Sequence, residues 1–202
     1  MAQYGKLEYW NERYTHDRQA FEWFQRYSAL KPHIEAVIPK ESKILYIGCG
    51  TSRLAEDMVD DGYQDIKCTD GSNVAIQIVQ KRAEGKTGLS FECQNVLDLV
   101  DSEEGQFDAV IDKGCMDAIL CGDGSYANVQ RMLQGISRVL KAGGVFFEVS
   151  YGTQQNRSPY LQSTDLGWEV TTNTIPKPHV GVPIPTSGDG TDVHYIYTCK
   201  KQ

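Results

Sequence analysis

At 202 residues, with 40% hydrophobic and 23% charged side chains, the chain has the composition of an ordinary globular protein; its length suits one core that buries roughly two-thirds of the surface exposed on unfolding. A net charge of −7 without any Lys/Arg-rich run argues against tight binding to a phosphate backbone, so no nucleic-acid partner is expected. The six cysteines are scattered and never spaced Cys-x-x-Cys, which argues against a zinc ribbon or a redox dithiol, and no metal is expected.

The first residues lack the long apolar run of a signal peptide, and no window approaches the roughly 20 apolar residues that span a bilayer. A cytoplasmic, monomeric protein with no membrane partner is the expectation, and the sequon Asn156-Arg157-Ser158 then has no consequence. The first forty residues read as two helices, with Tyr9, Trp10 and Tyr14 followed by Phe21, Trp23, Phe24, Tyr27 and Leu30 at mixed helical spacings. After Pro39 short apolar runs predict strands over 43–47, 65–69, 89–93, 107–111 and 144–150, with helices over 53–61, 73–83 and 126–140 between them.

Alternating strand and helix implies right-handed crossovers and a parallel sheet covered on both faces. The turn Lys141-Ala142-Gly143-Gly144 is expected to end the helix before the fifth strand, where glycine takes the left-handed cap conformation. Two further strands are predicted over 167–175 and 193–199, making seven. The intervening 176–192 segment, rich in proline and glycine, reads as a long loop.

The sharpest local signal is the apolar run Ile44-Leu45-Tyr46-Ile47 entering Gly48-Cys49-Gly50-Thr51-Ser52 and then a helix. Glycines there let a ligand approach the backbone, although a strand-to-helix turn uses glycine for structural reasons as well. Asp70 ends the second strand about twenty residues later, the distance at which a carboxylate receives the hydroxyls of a ribose. Such charge-assisted bonds contribute roughly 1.5–3 kcal/mol each. Capping of the helix after Ser72 and Asn73 is the structural alternative for Asp70. A dinucleotide oxidoreductase fits less well: Arg53 stands where Gly-x-Gly-x-x-Gly requires its last glycine, and the only Tyr-x-x-x-Lys spacing of short-chain dehydrogenase type is Tyr197 to Lys201, at the chain end.

Four blocks then carry a resemblance: Tyr9-Trp10-Asn11-Glu12-Arg13-Tyr14, Phe21-Glu22-Trp23-Phe24, Gly48-Cys49-Gly50-Thr51-Ser52-Arg53-Leu54 and Asp112-Lys113-Gly114-Cys115-Met116-Asp117-Ala118. Together with Arg138-Val139-Leu140-Lys141-Ala142-Gly143-Gly144, they resemble the class I S-adenosylmethionine-dependent lysine methyltransferases that act on eukaryotic elongation factor 1-alpha. The resemblance implies an α/β fold: a seven-stranded, mostly parallel Rossmann-like methyltransferase sheet, helices on both faces, and N-terminal helices over the cofactor site. One domain over 1–202 is expected, with a helical cap over 1–40 and the core over 41–202.

The resemblance also implies S-adenosyl-L-methionine as cofactor, bound by Trp10, Tyr14, Trp23, Gly48, Gly50, Asp70, Gly71, Asn95, Val96 and Lys113. The aromatic rings would cover the sulfonium, and Lys113 would serve the methionine carboxylate. Asn95 stands where the family often has aspartate, and its amide oxygen still accepts from the adenine amino group. Cys115 replaces a common threonine, with no adjacent histidine to activate its thiol.

The implied partner is a protein substrate of the elongation factor 1-alpha type. No catalytic residue is assigned; Asp112 or Asp117, just past the fourth strand, is expected by the acceptor channel, with helix capping the alternative for Asp117. The block Asp112-Lys113-Gly114-Cys115 differs from the Asn/Asp-Pro-Pro-aromatic of methyltransferases for planar amines. The other readings are a small-molecule methyltransferase and a non-catalytic binding module of the same fold.

Overall fold

The computed structural model describes residues 3–178 and 192–202. In chain order its elements are α1 (Leu7–His16), α2 (Tyr27–Glu35), β1 (Lys43–Ile47), α3 (Leu54–Asp60), β2 (Asp65–Asp70), α4 (Asn73–Arg82) and β3 (Leu89–Cys93). Then come β4 (Phe107–Lys113), α5 (Cys115–Leu120), α6 (Ser125–Val139), β5 (Leu140–Ser150), α7 (Gln154–Leu161), β6 (Trp168–Pro176) and β7 (Val193–Lys201). The seven strands form one sheet in the order β3-β2-β1-β4-β5-β7-β6, in which β7 runs against both of its neighbours and the other pairs are parallel. The sheet is thus mostly parallel, with a terminal antiparallel hairpin.

Strand period sorts the core into two layers. Ile44 and Tyr46 of β1 face one apolar cluster with Leu30, Ile34 and Met58. Leu45 and Ile47 face the other, built on Val129, Met132, Leu133 and Ile136 of α6. Every β1 side chain from Ile44 onward is buried, the continuous apolar reading of a parallel strand covered on both faces. Chain order reverses at β1, which has β2 on one side and β4 on the other, so a crevice opens beyond the carboxyl ends of these strands.

Four local expectations are corrected. Phe21, Trp23 and Phe24 are not helical: α2 begins at Tyr27, and Phe24 takes φ 61° in the connection before it. The Gly143-Gly144 turn does not cap a helix. Helix α6 gives way to extended backbone at Leu140, and Gly143 (φ 75°) lies within β5, where pairing with β4 slips from Phe107↔Leu140 to Ala109↔Val145. Strand β4 runs two residues further than its apolar pattern, so Asp112 and Lys113 belong to the strand rather than following it. Helices α5 and α7 were not anticipated, since six residues are too few for a period and α7 contains Pro159 with only Arg157 and Leu161 buried. The 176–192 loop lies outside the described residues apart from 176–178 and Asp192. Among the described residues no helix is long and apolar enough to cross a membrane.

Between β3 and β4 a 3-10 helix, Val96–Asp101, packs on α6 at Gly135, where an added Cβ would lie 2.7 Å from Leu99 Cβ and 2.8 Å from Val100 N. Because the obstruction includes backbone, Gly135→Ala should lower stability by about 1–3 kcal/mol, read as a fall in midpoint on chemical denaturation; an unchanged midpoint would contradict this packing.

Candidate active site

The crevice at the carboxyl ends of β1, β2 and β4 holds a cavity of about 320 Å³, at the lower end of the range of small-ligand sites. Its floor is the turn after β1, where Gly48 (φ 57°) and Gly50 (φ 51°) both take left-handed conformations. A Cβ at Gly48 would fall 2.6 Å from Cys115 Cβ, and one at Gly50 would fall 2.7 Å from Tyr14 Oη. The turn therefore needs glycine for conformation and for space alike.

Asp70, the last residue of β2, accepts from Gly50 N (2.8 Å) through Oδ2 and from Ser72 N (2.8 Å) through Oδ1. Ser72 itself caps α4 by accepting from Ala75 N. Burial pushes the Asp70 carboxyl up, and the two backbone donors pull it back. Each oxygen keeps a lone pair for a further donor, so its place in the turn is compatible with receiving sugar hydroxyls.

The roof is aromatic. Trp10 stacks between Tyr4 (5.6 Å) and Tyr14 (5.8 Å) and donates from Nε1 to Tyr4 O (2.7 Å), while Trp23 meets it edge-on at 6.2 Å. Arg13 Cζ lies 5.0 Å from the Phe21 centroid and 5.6 Å from that of Trp23.

One carboxylate fastens this roof to the core. Glu22 accepts from Lys113 Nζ (2.7 Å), Ser52 Oγ (2.8 Å) and Arg53 N (2.5 Å), the last two at the entrance to α3. Lys113 also donates to Trp23 O (3.0 Å), and its side chain is 1% exposed. Burial lowers the Lys113 pKa and Glu22 opposes the change. An ammonium has three donors, so one remains for a ligand.

All ten residues singled out for the cofactor line this one cavity: Trp10, Tyr14, Trp23, Gly48, Gly50, Asp70, Gly71, Asn95, Val96 and Lys113. Asn95 Oδ1 already accepts from Leu97 N (3.0 Å), capping the 3-10 helix, and Val96 is buried beside it. The glycine cradle, the half-buried carboxylate with free lone pairs and the roof of rings fit a nucleoside-bearing sulfonium.

The two acceptor candidates separate. Asp112 is fully buried, lies outside the cavity lining, and accepts from Cys115 N (2.7 Å) and Met116 N (2.9 Å) at the N-terminus of α5. Its role is a cap. Asp117 does line the cavity; it pairs with Arg157 of α7 and accepts from Ser150 Oγ (2.6 Å) and Tyr151 N (3.2 Å). Behind it Glu148 is buried with neither oxygen hydrogen-bonded, its Oε1 3.9 Å from Arg157 Nε. Arg157 and Glu148 escaped notice in the sequence, where Arg157 marked only a sequon; Glu22 stood in a quoted motif without a role.

The pattern of the methyltransferase domain family matches residues 45–147, half of the chain. The eEF1A lysine and N-terminal methyltransferase of Bos taurus is 33% identical over 152 residues, 73% of this chain and 22% of that protein. The EEF1A lysine methyltransferase 4 of Mus musculus is 29% identical over 178 residues, 83% of this chain and 69% of that protein. The chain thus spans about a fifth of the first relative's length and about two thirds of the second's. Among solved structures, a SAM-dependent methyltransferase from Methanosarcina mazei superposes with a TM-score of 0.62 at 18% identity, covering 84% of this chain and 97% of that one.

Replacing Asp70 with alanine should weaken cofactor binding by about tenfold or more, the effect of losing a charge-assisted hydrogen bond; calorimetric titration with S-adenosylmethionine reads it, and an unchanged dissociation constant would remove Asp70 from the site. The buried acids set a pH dependence. Desolvation pushes Asp112 up to about 7 and Glu148 well above the ordinary carboxylate range. Between about pH 4 and 7 the folded chain therefore holds protons that the unfolded chain has released, so these groups make stability fall as pH rises. Glu148→Gln should melt above the parent at pH 8, by a margin that shrinks toward pH 4.5; a margin independent of pH would show that Glu148 is ionised when folded.

Proposed function

The chain belongs to the methyltransferase domain family, and from that premise we propose that it moves a methyl group from S-adenosylmethionine to the side-chain amine of a lysine, on a cytoplasmic protein of the elongation factor 1-alpha type. The observation that carries the reading is the roofed cavity itself: ring side chains above, the Gly48–Gly50 turn and the Asp70 carboxylate below, and Asp117 in the same lining. The names of the two relatives support the choice of acceptor.

When bound, S-adenosylmethionine supplies a methyl carbon on a sulfonium whose sulfur is the leaving group. The protein's task is binding, alignment and exclusion of water. Asp70 receives the ribose hydroxyls, the Gly48–Gly50 turn admits the nucleoside close to the backbone, and Val96 with Asn95 borders the base. The remaining donor of Lys113 serves the amino-acid carboxylate. Trp10, Tyr14 and Trp23 cover the sulfonium and keep water out.

A lysine attacks only as the neutral amine, and the same dry roof that shields the cofactor favours loss of the ammonium proton to water before attack. Asp117 orients the incoming nitrogen through Oδ2, which keeps a lone pair beyond the Tyr151 N–H. Arg157 holds Asp117 from behind.

Incubation with tritiated S-adenosylmethionine and purified elongation factor 1-alpha, followed by mass spectrometry, tests this. Label on a lysine is expected, with kcat/KM reduced about tenfold or more in Asp117→Asn while cofactor affinity is kept. Label confined to other residue types, or none at all, would refute the lysine reading.

A further inference from the structure

Among the described residues Phe24 alone, glycines aside, has a positive φ, 61°. A bulky side chain in the left-handed region is strained and persists only where surroundings enforce it. Those surroundings are explicit. Next in the chain, Gln25 is 3% exposed, and its Nε2 lies 2.7 Å from Pro176 O, to which it donates, and 3.1 Å from His194 Nδ1, so the backbone after Phe24 is tied to the ends of β6 and β7.

The enforced turn delivers the Phe24 ring to the cavity wall. It packs 4.9 Å from the His194 ring and 6.2 Å from Tyr151, at a tilt of 53°. Gly114 makes room for it: a Cβ there would sit 3.0 Å from Phe24 Cε2. Tyr151 follows directly on β5 and is 55% exposed although it lines the same cavity, while the Arg157 guanidinium lies 5.5 Å from its centroid and steadies the ring. That guanidinium is paired with Asp117. Burial and Lys177 lower the pKa of His194, which leaves an uncharged ring beside Phe24.

We propose that Phe24 and Tyr151 form an aromatic throat at the acceptor end of the cavity, selecting an unbranched alkylammonium side chain and its methylated forms. The proposal rests on the lysine-acceptor reading for its biological meaning, but not for its chemistry. Methylated ammonium groups lose hydrogen-bond donors while keeping their charge, so ring faces are the fitting counterpart, and Asp117 beyond them supplies the negative end. Neither ring belongs to the cofactor set, which lies over the Gly48–Gly50 turn and Asp70.

The probe is tetramethylammonium chloride, titrated into the protein saturated with S-adenosylhomocysteine and followed through the ring-proton NMR signals of Phe24 and Tyr151. Saturable shifts are expected in the parent and in Tyr151→Phe, and their loss in Tyr151→Ala. In the transfer assay, KM for elongation factor 1-alpha should rise about 2- to 30-fold in Tyr151→Ala and in Phe24→Gly, with cofactor affinity kept in both. Glycine at position 24 suits the left-handed backbone, so the loss of the ring is tested without added strain. Shifts that never saturate, or a KM unchanged in both variants, would overturn the throat. Saturable shifts in a protein that labels no lysine would leave the throat standing and overturn the lysine reading instead.

Discussion

The site depends on the carboxylate of Glu22. It gathers the ammonium of Lys113 at the end of β4, the hydroxyl of Ser52, and the free N–H of Arg53 where α3 begins. An anion suits that helix entrance, where backbone donors lack partners inside the helix. Because Lys113 is almost wholly buried, removing one member of the pair leaves an uncompensated charge, at a cost of about 3–5 kcal/mol. The connection between α1 and α2, with no regular structure of its own, is thereby fixed over the cavity, and the rings of Trp10 and Trp23 gain a defined position. A second tie, from Ser72 Oγ to Asn11 Oδ1 (2.6 Å), joins α1 to the head of α4.

Below the roof, the topology does the placing. Reversal of strand order at β1 brings the ends of β1, β2 and β4 together, and each contributes one kind of group: glycines, a carboxylate, and a cation followed by the helix that carries Asp117. Asp70 holds Gly50 N and so fixes the turn that a nucleoside would approach in the proposed reading. The other end of the cavity is built differently. Asp117, in the lining, is paired with the Arg157 guanidinium; behind it Asp112 and Glu148 are buried, and desolvation pushes both carboxyls up, so that they stay buried by retaining protons.

The central strands could be read in the sequence because parallel strands covered on both faces show as unbroken apolar runs, as in Ile44 to Ile47, and β6 because its burial alternates. The glycine turn and the position of Asp70 beside it were legible because both follow from backbone conformation and spacing along the chain. Partners far apart in sequence were not. Glu22 and Lys113 are 91 positions apart, and Asp117 and Arg157 are 40 apart, so no local pattern links either pair. Asp112 looked like an acceptor-side acid on position alone; its carboxylate instead caps α5, a helix too short to announce itself. The aromatic run around Phe24 imitated a helical stripe, whereas its rings line a cavity from an irregular segment.

If Glu22 holds the roof in place, cofactor affinity must respond to a residue that is not among the cofactor contacts. Calorimetric titration of S-adenosylmethionine into the parent protein and into Glu22→Ala, with folding of both verified by circular dichroism, measures this directly. The account predicts a single binding site in the parent and an affinity at least about tenfold weaker in the folded variant. Equal affinity in the two proteins would contradict it.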